Sequence, residues 1–343
     1  MKPTDIWTNT KWQPKPMCGR GDPCHESAPR GSKTGTQGIK GSWDRAIIPQ
    51  ELCKELAEYA VLRVLEPGFG ASLQDRGRHG WRRWGVPISG PMDRHSANCA
   101  NRLLDNDSGC AVLEMLLQGT KLEVLQDVWI AICGGEIECS IPAWRAHHAT
   151  AGEILALKNC KSGMWSYLAV EGGFAEEQIF GSTGYYARGS IGRKLEKGTT
   201  LDRQSTTRFQ LPRGVSSRVG SWTDRWDFTQ PPRIRVYAGP QWKSFSHADR
   251  ERFLTEEWRV SSRSDRVGYR LDGPALKADP VEIYSEPVRL GSIQVPESGE
   301  PIVTMPDGPT VGGYPKIAVV DEPDLAWGAQ CRPGQTLRFQ LVS

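Results

Sequence analysis

From Val61 onward the chain alternates between short apolar runs and turn residues, with a break at roughly every tenth position. "KLEVLQ", "VWIAICGG", "EILALKN" and "SYLAVEGG" are typical. β-branched and aromatic residues suit a pleated, half-buried surface, so each run predicts a strand. Strand after strand with such spacing predicts a mainly β chain built as sandwiches or barrels. Helical spacing is rare. "MDRHSANCANRLL" places Asp93 as a cap before Ala97, Ala100, Leu103 and Leu104 on one side. "SHADRERFLTEEW" opens with Ser246 and Asp249 at capping-box spacing. "PQELCKELAEYA", residues 49–60, carries Leu52 and Leu56 behind a proline and predicts a further short helix.

The first 48 residues are rich in Pro, Gly, Lys, Ser and Thr and show no period, which predicts a disordered leader. The resulting division is a leader with one short helix over 1–60, a first β domain over 61–205, a polar linker over 206–232, and a second β domain over 233–343. A short echo between "GWRRWGVP" and "GYRLDGP" hints that the two domains share a design.

At 343 residues the chain has room for two cores. Its net charge of +3 comes from interleaved charges of both signs, which argues against a nucleic-acid partner. No apolar run reaches the roughly 18 residues of a membrane span. Nine scattered cysteines and no secretory signal predict reduced thiols in a cytoplasmic protein. Cys18, Cys24 and His25 lack a second ligand pair at zinc spacing, so no metal site is predicted.

Three segments gather polar side chains amid glycine. The first contains Gln74, Asp75, Arg78, Ser89 and Asp93; the second Arg266, Tyr269 and Arg270; the third Glu286, Gln294, Thr310, Gly312, Gly313, Tyr314 and Lys316. Arginine forks, a lysine and a glutamine suit an N–C=O unit whose oxygen gathers negative charge. No nucleophile elbow or triad is visible. Taken singly, each Arg and Asp is better explained by a salt bridge or a turn contact. Gly312 and Gly313 likewise fit either a turn or bulge, or a place where something closely approaches the backbone.

Residues 67–114, "PGFGASLQDRGRHGWRRWGVPISGPMDRHSANCANRLLDN…AVLE", resemble the opening pattern of the allophanate hydrolase subunit 2 family. "SDRVGYRLDGP" and "SEPVRLGSIQVPESGEPIVTMPDGPTVGGYPKIAVV" resemble its closing pattern, and the likeness runs over about 61–343. That family includes the biotin-dependent carboxyltransferase region of urea carboxylase and the C subunit of ATP-dependent 5-oxoprolinase. The resemblance implies two cyclophilin-like β-barrels with a few short helices. It implies a substrate pocket in which Arg270, Lys316 and Tyr314 act catalytically and the other residues named above bind substrate.

Two activities follow from the resemblance. One is opening of the 5-oxo-L-proline lactam to L-glutamate, with ATP bound through an assembled complex with the 5-oxoprolinase A and B subunits. Of these, the cyclophilin-fold B component would be the most direct partner. The other activity is transfer of CO2 from carboxybiotin, held on a separate carrier chain, to urea or a similar amide. A non-catalytic regulator of a kinase-inhibitor homologue is the third possibility. The chain contains neither a biotin-carrier Met-Lys-Met segment nor a G-x-x-x-x-G-K-[ST] loop, so either activity would require partner chains.

Overall fold

The computed structural model describes residues 59–205, 208–230 and 232–342. The expected leader lies outside these residues. So does the expected helix over 49–60, except for Tyr59 and Ala60, the latter opening the first strand.

Nine strands form the first barrel-like sheet. They are β1 (Ala60–Pro67), β2 (Ala71–Gln74), β3 (Val112–Leu116), β4 (Thr120–Val124), β5 (Val128–Cys139), β6 (Ala146–Ala149), β7 (Ile154–Val170), β8 (Phe174–Ala175) and β9 (Thr200–Arg203). Its main path runs β2-β3-β7-β4-β1-β9-β8, with β5 and β6 joined through β7. Helix α1 (Arg94–Leu103) lies between β2 and β3 in sequence. The Asp93 side chain caps it by accepting from the Ser96 N–H at 2.9 Å. The predicted face of Ala97, Ala100, Leu103 and Leu104 is buried.

The second half forms a closed barrel in the order β10-β17-β14-β15-β12-β11-β18. These strands are β10 (Arg233–Ala238), β11 (Trp258–Val260), β12 (Gly268–Asp272), β14 (Ser292–Gln294), β15 (Ile302–Thr304), β17 (Lys316–Val320) and β18 (Thr336–Leu341). A separate two-stranded piece pairs β13 (Glu286–Pro287) with β16 (Val311–Gly312). Helix α2 (His247–Thr255) has Ser246 as its cap, accepting from the Asp249 N–H at 3.1 Å, as the capping spacing predicts. A third helix, α3 (Glu322–Ala329), was not legible as periodicity. It begins behind Asp321 with Pro323 and two acids in its first turn.

The motif echo does not survive folding. "GWRRWGVP" contains a 3-10 turn at Arg82–Trp84, whereas "GYRLD" is strand β12.

Strands β3 and β7 explain how the halves join. Leu113 and Met115 of β3, with Leu168 and Val170 of β7, fill the interior of the first barrel. The alternate residues Val112, Trp165, Tyr167 and Ala169 belong to a second cluster, which continues through α1 into Tyr269, Leu271, Ile293 and Phe339 of the second barrel. Both faces of these strands are thus buried, and the usual in–out alternation disappears from the sequence. Each large side chain sealed there contributes roughly 1.5–3 kcal/mol. The stretch expected to be a linker lies against this assembly where it is described: Phe209 and Phe228 are buried, and Trp226 stacks between His95 and Trp327.

Candidate functional site

The strand β2 ends in Gln74, and the chain then turns through Asp75, Arg78 and Ser89 toward α1. This loop closes on a second one, Ser182–Tyr186. The Asp75 carboxylate accepts from Gly77 N–H at 2.9 Å, from Thr183 N–H at 2.8 Å and from the hydroxyls of Ser182 and Thr183. Gln74 Nε2 donates to Tyr185 O at 2.9 Å and to Ser72 Oγ at 3.0 Å. Arg78 has no exposed surface and donates through Nη2 to Gly184 O. Arg78 Nε and Nη1, Gln74 Oε1 and Ser89 Oγ are buried without a partner among the described residues. Burial pushes the Arg78 guanidinium below its usual range, against the pull of the Asp75 and Asp307 carboxylates. Ser89 holds a φ of 59°, unusual for a residue with a side chain, and its N–H donates to Pro306 O at 2.9 Å.

A buried polar hub ties this loop to the second barrel. The Arg266 fork binds Asp307 at 2.8 and 3.2 Å, Gly90 O at 2.8 Å and the Glu114 carboxylate. Burial opposes the Arg266 charge, yet the Glu114 and Asp307 carboxylates push its pKa up. Burial also raises the pKa of Glu114, opposed by Arg266 and by hydrogen bonds from Met92 N–H and Tyr167 Oη. Asp93 accepts from Gln330 Nε2 at 2.7 Å, and Gln330 Oε1 in turn accepts from the Met164 and Trp165 N–H groups. Asp93 and Arg266 therefore fasten one barrel to the other. Tyr269 lies inside the shared core, its hydroxyl donating to Ala329 O at 2.7 Å.

The third segment gathers on the second barrel. Arg270, Ile302, Gln294 and Lys316 stand directly opposite one another along β12, β15, β14 and β17, and directly opposed residues share a face. Three strand spacings, roughly 14 Å, separate the Arg270 and Lys316 backbones. The β13–β16 pair covers this face at Gln294. A Cβ on Gly312 would lie 2.9 Å from Gln294 Oε1 and 3.1 Å from Val288 Cγ2, and one on Gly313 3.0 Å from Ile283 O. Neither glycine has a left-handed φ, so in the folded chain they provide room for close packing. Lys316 is buried and pairs with Glu286 at 2.8 Å, while Gln241 binds Glu286 at 3.0 Å and accepts from the Lys316 N–H. The Lys316 hydrogen bond holds the Glu286 carboxyl below its ordinary range. Thr310 is buried, its carbonyl accepting from Val288 N–H at 3.0 Å. Tyr314 is 41% exposed.

The structure thus brings Gln74, Asp75 and Arg78 together around Gly184, and Glu286, Gln294, Gly312, Gly313 and Lys316 together at the β13–β16 pair, while Ser89 bonds through its N–H to Pro306 O. Arg82 joins the two groups by donating to Val288 O. A cleft of about 780 Å3 opens between the barrels, lined by His79, Arg82 and Arg94 on one side and Tyr237 and Arg289 on the other. An adjoining cavity of about 290 Å3 shares His79 and Arg94 and reaches Gln74 and Asp75. The sequence reading missed Ser182–Tyr186, although "GSTGYY" is a glycine-rich polar run, and it missed the hub residues Glu114, Tyr167, Asp307 and Gln330.

His95, Cys99 and Asp224 bring ligand atoms within 4.8 Å of one another, the one such metal-ligating group among the described residues. Arg102 already binds both Cys99 Sγ and Asp224, and burial pushes the Cys99 thiol up to about 12, so the cluster stands as an ion pair beside a neutral thiol.

A family model described as "Carboxyltransferase domain, subdomain A and B" matches residues 84–341. The 5-oxoprolinase C subunit of Haemophilus influenzae is 33% identical over 295 residues, covering 82% of this chain and 92% of that protein; the Escherichia coli protein of the same name is 34% identical with the same coverage. The Saccharomyces cerevisiae urea amidolyase is 31% identical over 83% of this chain, but the match spans only 17% of that enzyme. Solved structures that match are longer, the chain spanning 55% of one. It spans 19% of the Kluyveromyces lactis urea amidolyase, which superposes with a TM-score of 0.76 at 30% identity. The chain belongs to the carboxyltransferase-domain family that includes the bacterial 5-oxoprolinase C subunits and the urea amidolyases.

Proposed function

We propose that this chain is the C subunit of a 5-oxoprolinase, acting with partner chains to open the lactam of 5-oxo-L-proline to L-glutamate. One observation carries the reading: the match extends over 92% of the bacterial C subunits but only 17% of a urea amidolyase. The similarity thus takes in nearly the whole of a C subunit and only a small region of a fused enzyme.

An unstrained amide resists water, and both its activation and its cleavage gather charge on the carbonyl oxygen. Buried donors aimed at one spot are the groups such a reaction needs. The donors around Gly184 suit one small oxyanion or carboxylate. They do not make a triphosphate cradle, so in this reading ATP is bound mainly by partner chains, and no step is assigned to it on this one. Arg270 and Tyr314 remain candidates for stabilising charge, whereas Lys316 is already neutralised by Glu286.

The carboxyltransferase reading, with carboxybiotin on a separate carrier and a urea-like acceptor, is favoured by the family description and by the likeness to the urea amidolyases. Co-expression with candidate A and B subunits separates the two. The expected result is ATP-dependent glutamate release from 5-oxoproline by the complex and none by the chain alone. Urea-dependent consumption of carboxybiotin without glutamate release would replace the reading with the alternative.

A further inference from the structure

The side chains around Gly184 carry a charge and a polarity that the protein leaves unmatched. Arg78 is a buried cation, and the two carboxylates near it are already engaged. Asp75 is held by Gly77, Ser182 and Thr183, and Asp307 by the Arg266 fork. Two of the three guanidinium nitrogens have no partner among the described residues. Unpaired buried charge is costly, as is each unmade buried hydrogen bond, and native structures rarely tolerate several together. Beside this cation lies an orphan acceptor: Gln74 Oε1 is only 2.9 Å from where a Gly184 side chain would begin, and Arg78 binds the carbonyl of the same glycine. Gln74 and Asp75 also line the 290 Å3 cavity, so the Gln74 end of this cluster borders open space.

We infer that Arg78 and Gln74 form a receptor for an α-amido carboxylate: Arg78 takes the carboxylate, and Gln74 Oε1 accepts the neighbouring amide N–H. The inference rests on the proposed reaction for the identity of the ligand, since 5-oxoproline carries a carboxylate one carbon away from its lactam N–H. It adds what that reading leaves open, namely which end of the substrate this loop holds and which chemical class it selects. A neutral lactam would leave Arg78 unpaired, and a lactone acid would leave Gln74 Oε1 without a donor. A site built to hydrogen-bond a group rejects analogues that lack it by large factors.

The test uses the co-purified complex and an analogue series that needs no substitution: 5-oxo-L-proline, the neutral 2-pyrrolidinone, and the lactone acid in which oxygen replaces N–H. Calorimetry is expected to give about a hundredfold weaker binding or more for 2-pyrrolidinone, and at least about tenfold weaker binding for the lactone acid. Gln74→Leu should erase the preference for lactam over lactone while keeping the preference for acids, and Arg78→Met should do the reverse. Equal binding of neutral lactam and acid, or preferences unchanged in both variants, would overturn the inference. The two ideas can fail separately. Glutamate release with no acid preference would sink the receptor and spare the reaction. Arg78-dependent binding of the acids without glutamate release would sink the reaction and spare the receptor.

Discussion

The two barrels treat their buried polar groups in opposite ways. On the second barrel, Lys316, Glu286 and Gln241 bond to one another, and Gln294 Nε2 donates to Thr304 at 3.0 Å. On the first, Arg78, Gln74 and Ser89 keep atoms without partners among the described residues. Both regions read alike as sequence, being polar residues set among glycines. Folding separates them: one set is satisfied by its own neighbours, and the other keeps the bonding capacity that the proposed receptor uses. The contrast also ranks the candidate residues: Gln74 and Arg78 are the proposed substrate contacts, whereas Lys316, Glu286 and Gln294 at the β13–β16 pair are bonded within the fold.

The largest effect is expected at the hub that joins the barrels. Arg266→Met leaves the Glu114 and Asp307 carboxylates buried without their cation, and loss of one partner from such a set costs about 3–5 kcal/mol. Chemical denaturation measures it. A loss below about 1 kcal/mol would show that the barrels do not depend on this network.

Next comes Lys316→Met. It removes a buried cation and its hydrogen bond to a partly exposed Glu286, a loss of about 1–3 kcal/mol. On this account turnover of the assembled complex stays within about tenfold of the parent. A hundredfold fall in a folded complex, the size expected for loss of an oxyanion stabiliser, would return Lys316 to the reaction.

Gly312→Ala is smaller still. Its φ is acceptable to alanine, and the atom it meets is the end of the Gln294 side chain, so about 1 kcal/mol is expected, with turnover following stability. Activity lost well beyond that would mean that a ligand approaches this backbone.

The smallest effect is electrostatic. Lys316 holds the Glu286 carboxyl below its usual range, so the pair contributes fully above the pH at which an unfolded glutamate titrates. That contribution is lost as pH falls through the lower, folded value, and Lys316→Met should flatten this part of the acid limb of a stability–pH curve. An unchanged limb would mean that the pair adds nothing measurable.

Much of this was legible before folding. Turn spacing in "EILALKN" and "SYLAVEGG" gave away the β texture, and Asp93 and Ser246 announced two helices through local capping chemistry. Local signals survive in sequence because neighbours in the chain enforce them. Helix α3 escaped because its eight residues show almost no amphipathic stripe. The hub escaped because its members, from Glu114 to Gln330, are joined only across the barrel interface. The glycine pair at 312–313 was legible as an oddity, but whether a turn, a ligand or the chain's own Gln294 demanded it depended on a contact 18 positions away. Arg78 was legible as a residue type in a motif; that it would be buried and left unpaired was not.

The contrast between the barrels is tested most directly by the KM for 5-oxoproline, measured as ATP-dependent glutamate release by the assembled complex carrying either Arg78→Met or Lys316→Met. The account predicts a KM raised about a hundredfold or more for Arg78→Met, with Lys316→Met near the parent value. A near-normal KM for Arg78→Met, together with a large loss for Lys316→Met in an equally stable complex, would contradict it.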